Sequence, residues 1–111
     1  MNKLNYSPKA KNDLVEIKKY ISEELMNPVA AQNVVRKIIK RIRCLEQFAE
    51  IGTPLSTIFN METDYRFLVC GNYLAFYRIE RKRINIIRVL YGKRDYMTIL
   101  FGDLISNEDE E

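Results

Sequence analysis

The sequence predicts an α+β domain in which a helical hairpin covers one face of a small antiparallel sheet. Three observations carry that expectation. Two segments, each opened by a polar residue and a proline, repeat apolar side chains every three or four residues. Three later runs are rich in β-branched and aromatic residues and are separated by short, turn-like breaks. The helical segments and the strand-like runs follow one another as blocks, which is the order of an α+β chain.

In chain order, Lys3 to Tyr6 alternates polar and apolar residues and reads as a strand whose place in the sheet its period leaves open. Ser7-Pro8 supplies an N-cap and a proline at the first helical position, where the missing N–H costs nothing. Ala10, Leu14, Ile17, Ile21 and Leu25 then form one stripe. Asn27-Pro28 ends this helix and starts a second, whose apolar face runs from Ala31 through Val34, Val35, Ile38, Ile39, Ile42 and Leu45 to Phe48. So short a connection makes the two helices an antiparallel hairpin. Gly52 to about Thr63 is a loop, with Leu55, Ile58, Phe59 and Met61 as apolar anchors.

The sheet should follow as a meander. Tyr65 to Cys70 and Tyr73 to Ile79 flank the hairpin break Gly71-Asn72. Ile84 to Tyr91 follows the charged turn Glu80 to Arg83 and stops at Gly92. Asp95 can cap a final helix from Tyr96 to about Leu104, too apolar at Met97, Ile99, Leu100 and Phe101 to stand in water without serving as a lid or meeting a partner. Periodicity assigns Leu14, Ile17, Ile21, Val35, Ile38, Ile42, Leu45, Phe67, Val69, Ile87 and Val89 to the core.

The 111 residues allow one domain, expected to span residues 1 to 104, and residues 105 to 111 form an acidic tail expected to be disordered. The formal charge of +3 hides an asymmetry. Residues 1 to 102 hold all 18 basic residues and ten of the 15 acidic ones, a net +8 that suits a polyanion or an acidic protein partner. On the second helix Arg36, Lys37, Lys40, Arg41 and Arg43 make the outer face basic, which is most simply its solvated side. No apolar run reaches the roughly 18 residues of a membrane span, and no signal-peptide pattern opens the chain, so a cytoplasmic protein is expected. Cys44 and Cys70 fall within helix and strand patterns and read as small buried hydrophobes. The chain has no histidine, which removes the commonest general acid–base and transition-metal ligand together. No metal or cofactor is expected, and no nucleotide-binding loop or nucleophile elbow is present.

The remaining chemistry is cationic and phenolic. Arg66, Lys93 and Arg94 can face a phosphate or carboxylate, and Tyr91, Tyr96 or Asp95 can stand near a proton, although an ordinary phenol is a poor base at neutral pH. Arg66 and Arg88 can equally pair with Glu62, Asp64 or Glu80 on an exposed sheet face, and Tyr91 can be a core aromatic.

The order strand, helix, helix, loop, followed by Tyr65-Arg66-Phe67-Leu68-Val69, Gly71-Asn72-Tyr73-Leu74-Ala75-Phe76-Tyr77-Arg78 and Arg88-Val89-Leu90-Tyr91-Gly92-Lys93-Arg94-Asp95, resembles the RelE/ParE superfamily of type II toxins over about residues 3 to 101. The resemblance implies a small basic growth inhibitor neutralised by a cognate antitoxin. It also implies one of two targets. In the RelE-like branch, a metal-independent endoribonuclease cuts mRNA on the ribosome, and Arg94, Arg66 and Tyr96 would be its catalytic residues here. Leu68 and Leu74 stand where that branch carries a lysine and an arginine. In the ParE-like branch, DNA gyrase is poisoned without catalysis. The Arg-Val-Leu-aromatic-Gly-basic-Arg-Asp block tips the expectation toward gyrase, with Arg94, Lys93, Tyr91 and Arg66 binding the target and Met97, Leu100 and Phe101 binding the antitoxin. A non-toxic binding domain that keeps the fold is the remaining alternative.

Overall fold

The structure is a computed structural model that describes residues 1–101. The expected end of the final helix and the acidic tail lie outside the described residues.

Both helices begin as their caps dictate. Ser7 Oγ accepts the Ala10 N–H at 3.0 Å and donates to the Ile87 carbonyl at 2.7 Å, so the cap of α1 (Pro8–Lys19) is also a tie to the sheet. Asn27 Oδ1 accepts the Ala30 N–H at 3.1 Å and opens α2 (Pro28–Arg43). Between them, Tyr20–Glu24 widen into a π turn, and Met26 crosses to α2 at φ 51°. Leu25, expected on the α1 stripe, is therefore carried off the core and is exposed. A 3₁₀ turn, Cys44–Glu46, ends α2, and Phe48 beyond it is also exposed rather than continuing the apolar face.

The sheet has five strands in the order β1-β5-β4-β3-β2, with β1 Lys3–Tyr6, β2 Thr53–Pro54, β3 Arg66–Cys70, β4 Tyr73–Glu80 and β5 Arg83–Tyr91. The meander β3-β4-β5 is antiparallel as expected, and Gly71 takes φ 64° at the first turn position. The first strand, left open by its period, pairs parallel with β5, which makes the sheet mixed. Inside the expected loop, Thr53–Pro54 adds a short edge strand to β3.

The sheet is covered on both faces. Ala10, Ile38, Ile42 and Leu45 of the helices pack on Leu68, Cys70, Ala75, Tyr77, Ile84, Ile86 and Val89. On the opposite face Leu55, Phe76, Leu90 and Phe101 form a second core, closed by the loop and by the C-terminal segment, which is helical from 96 to 101. The expectation for β3 was displaced by one residue. Leu68 and Cys70 face the helices, while Phe67 is half-buried on the second face and Val69 is 54% exposed. Period alone cannot tell which of two opposite faces is wet when both are apolar. In β5 the pairing shifts between Phe76/Tyr77 and Ile86/Arg88, so Ile87 is the extra residue of a bulge. Even positions Ile84 and Ile86 meet the helices before it and odd Val89 after it, which leaves Ile87 half-buried. Val35 is likewise half-buried. Of the loop's apolar residues, Leu55 and Phe59 anchor, whereas Ile58 and Met61 remain exposed.

Candidate functional site

The bulge in β5 is held by a residue that sequence reasoning passed over. Asp13, on α1, is 8% exposed and accepts three hydrogen bonds. Two come from Arg88, Nε at 2.7 Å and Nη2 at 2.8 Å, and the third from the Val89 N–H at 2.9 Å. The bidentate contact with this carboxylate raises the Arg88 guanidinium pKa against the opposing effect of burial. Arg88 thus pairs across the interface with α1 rather than with Glu62, Asp64 or Glu80. The signal was a carboxylate at position 13 lying within the stripe of Ala10, Leu14, Ile17 and Ile21.

This brace carries the end of β5. Tyr91 is 37% exposed and meets Tyr73 edge-on, with ring centroids 5.6 Å apart. Gly92 N–H is bonded to the Asn72 carbonyl at 2.8 Å, and a side chain at Gly92 would come within 3.2 Å of that same oxygen. Arg94 N–H bonds Tyr91 O at 3.0 Å, so the basic turn is short and fixed. Lys93 and Arg94 are exposed on its tip, and among the described residues neither has a carboxylate within salt-bridge distance. Beside Arg94 opens a groove of about 910 Å³ between α1, the start of α2 and the end of β5. Ile17, Tyr20, Ile21, Leu25, Tyr73 and Tyr91 give it an apolar and aromatic lining. Burial, with the neighbouring Tyr91 and Tyr20 phenols, pushes the Tyr73 phenol above its ordinary value, so it is no base at neutral pH.

Arg66 stands elsewhere. Cys70 pairs with Tyr73 and Tyr73 with Tyr91, so the Arg94 turn lies level with the end of β3, whereas Arg66 begins that strand, about 13 Å back along it. Its Nη1 donates to the carbonyls of Gly52 at 2.9 Å and Glu50 at 3.3 Å, holding the loop against the sheet edge. Tyr77 works beside it, donating to Ala49 O at 2.8 Å and accepting the Gly52 N–H at 3.0 Å. Tyr96 turns to the second face, its ring packing on Phe76 at 5.3 Å and Phe59 at 6.0 Å. Leu68 is buried under the helices and Leu74 packs in the second core. The sequence-selected residues therefore separate into an Arg94, Lys93 and Tyr91 cluster and two outliers, Arg66 and Tyr96.

Of the residues expected to meet an antitoxin, Phe101 is buried against Tyr65, ring centroids 5.4 Å apart, and Met97 and Leu100 pack beside it. Asp95 caps their helix as its position suggested, accepting from Thr98 N at 3.3 Å and Thr98 Oγ1 at 2.6 Å. These two bonds hold the Asp95 carboxyl below its usual range. Among the described residues no helix is long and apolar enough to cross a membrane, and no group of three His, Cys, Asp or Glu is placed to hold a metal ion.

Residues 4–96 match the family model of the ParE toxin of the type II toxin-antitoxin system parDE. The chain belongs to this family. Its fold is similar to a solved chain described as a chromosomal ParDE toxin-antitoxin system from P. aeruginosa, with 26% identity and a TM-score of 0.68 over 82% of this chain and 96% of that one. A looser match, YafQ from E. coli strain BL21(DE3), has 13% identity and a TM-score of 0.43 over 82% of this chain and 93% of that one. A comparison with curated protein sequences gave no significant match. As a ParE-family member, the chain is a toxin of the RelE/ParE superfamily, and its α+β architecture is that of the fold.

Proposed function

We propose that this ParE-family toxin inhibits growth by binding DNA gyrase through the Arg94 turn and the apolar groove beside it, and that a cognate antitoxin neutralises it. One observation carries the reading: the exposed guanidinium of Arg94 borders a groove lined by apolar and aromatic side chains, while Arg66 is engaged at the other end of β3. A large aromatic-lined concavity, with an Arg at its rim that has no carboxylate partner among the described residues, fits a protein surface, where aromatic and Arg residues contribute most of the binding energy. Cleavage of RNA needs cations and proton-transfer groups converging on one phosphate. Arg94, Arg66 and Tyr96 do not converge, and cations placed at Leu68 or Leu74 would lie in the cores.

For the antitoxin, the likeness to a solved chain described as a ParDE toxin-antitoxin system supports a cognate antitoxin here. Met97, Leu100 and Phe101 line the sheet's second face, so an antitoxin that uses this face displaces the 96–101 segment and takes over its apolar contacts.

The test is induction of the chain in a bacterial host with two separate readouts, gyrase–DNA breaks trapped by denaturant and cleavage of ribosome-bound mRNA. Trapped breaks without mRNA cleavage are expected. Cleaved mRNA without trapped breaks establishes the ribonuclease reading instead, and neither signal with normal growth establishes a non-toxic domain.

A further inference from the structure

The outer surface of α2 is not accounted for by the groove at Arg94. Arg36, Lys40 and Arg43 recur at steps of four and three, on the side of the helix opposite the buried Ala31, Ile38 and Ile42. Lys18 of α1 faces them across a shallow trough of about 600 Å³ that also includes Gln32 and Ile39, and among the described residues no carboxylate lines it. Arg43 approaches Glu46 only at 4.0 Å, and Arg41 turns away to the Val69 carbonyl at 3.3 Å, so neither contact neutralises the ridge. The three ridge cations span about 10 Å along a rigid helix.

We infer that this ridge is a second binding surface, and that it takes the phosphate backbone of duplex DNA. A straight row of cations on a rigid rod suits the regular phosphates of a duplex, which binds through charge and counterion release. Single strands are held instead by aromatic side chains on which bases stack, and among the described residues none lines the trough. The choice of DNA over duplex RNA rests on the gyrase reading, because gyrase presents its substrate DNA to whatever binds it. The ridge then engages DNA flanking the gyrase site while the Arg94 end engages protein.

The test uses the purified chain and a fluorescently labelled 20-base-pair DNA duplex without gyrase, titrated by anisotropy at several salt concentrations. Three phosphate contacts predict a slope of log affinity against log salt of about −2.7. Reversing the ridge with Arg36→Glu, Lys40→Glu and Arg43→Glu should lower affinity at least tenfold and flatten the slope. A control with the same net charge, Lys9→Glu, Lys11→Glu and Lys82→Glu, should keep most of the binding. Thermal melting checks that each variant is folded, and the milder pair Arg36→Gln and Lys40→Gln serves if the triple reversal unfolds. Equal losses in the two triple variants, or no duplex binding by the parent, overturns the ridge. Tighter binding of single-stranded DNA or of an RNA duplex overturns the assignment of its partner. Because gyrase is absent, failure of the gyrase reading would appear only in the induction experiment and not as a loss of duplex binding.

Discussion

Arg66 and Arg94 are the same side chain at two ends of one sheet, and their surroundings give them different work. Arg66 spends its Nη1 donors on the Gly52 and Glu50 carbonyls and holds a loop. Arg94 sits past a glycine on a two-bond turn, braced from below by Asp13 through the β5 bulge, with no carboxylate partner among the described residues. A guanidinium already engaged with the fold has fewer donors left for a partner, and this contrast is why the proposed reading puts binding at the Arg94 end.

The largest expected difference between the two ends is in toxicity. Arg94→Ala should restore growth by orders of magnitude in a plating assay while leaving the melting temperature within a few degrees of the parent. Arg94→Lys should rescue only part of the toxicity, since lysine keeps the charge and loses the fork. Next comes the brace. Asp13→Ala leaves Arg88 charged and unpaired in a largely buried site and orphans the Val89 N–H, so it should cost about 3–5 kcal/mol in urea unfolding. If Asp13→Ala melts like the parent, the bulge is not what fixes the Arg94 end.

The pH response should also differ from end to end. Near Arg94, burial pushes the Cys70 thiol from 9.0 up to about 11 and raises the Tyr73 phenol. The folded state keeps these protons longer than the unfolded chain. The resulting stability is complete below pH 9.0 and is lost as pH rises through about 11. The loss at Cys70 is on the order of 2 kcal/mol, and Cys70→Ala should flatten the stability profile across that window.

At the other end Arg66→Ala should cost only about 1–2 kcal/mol, because the two carbonyls it releases can turn to water, and toxicity should persist. The smallest effect belongs to Asp64, whose hydrogen bonds to Arg78 hold its carboxyl below the usual 3.8. A depressed pKa means stability that is present above pH 3.8 and lost as pH falls below it. The pair is exposed, so a double-mutant cycle with Asp64→Asn and Arg78→Gln should give no more than about 1 kcal/mol.

Where the sequence was legible, a local rule had no competitor. Ser7-Pro8 and Asn27-Pro28 opened helices, Gly71-Asn72 made a hairpin, and the stripe through Ile38, Ile42 and Leu45 met the sheet. It failed where one residue changes everything after it. The face of β3 was misassigned because Phe67 and Leu68 are both apolar and both faces of the sheet are covered. In β5 the bulge exchanged odd for even at Ile87, and nothing in a run of Ile and Val announces an extra residue. Leu25 was lost to a π turn that no propensity marks. Within the candidate site, the Arg94, Lys93 and Tyr91 cluster was readable because Gly92 ends a strand with charged residues behind it. The role of Asp13 needed a contact between residues 75 positions apart, and the separation of Arg66 from Arg94 needed the strand register.

The most direct measurement is cleavage of supercoiled DNA by purified gyrase in the presence of the parent chain, Arg94→Ala and Arg66→Ala, scored as linear DNA trapped by denaturant. The parent and Arg66→Ala should both trap breaks, and folded Arg94→Ala should need at least tenfold more protein to trap as many. No trapped breaks with the parent, or full trapping by Arg94→Ala, would contradict the assignment of the binding end.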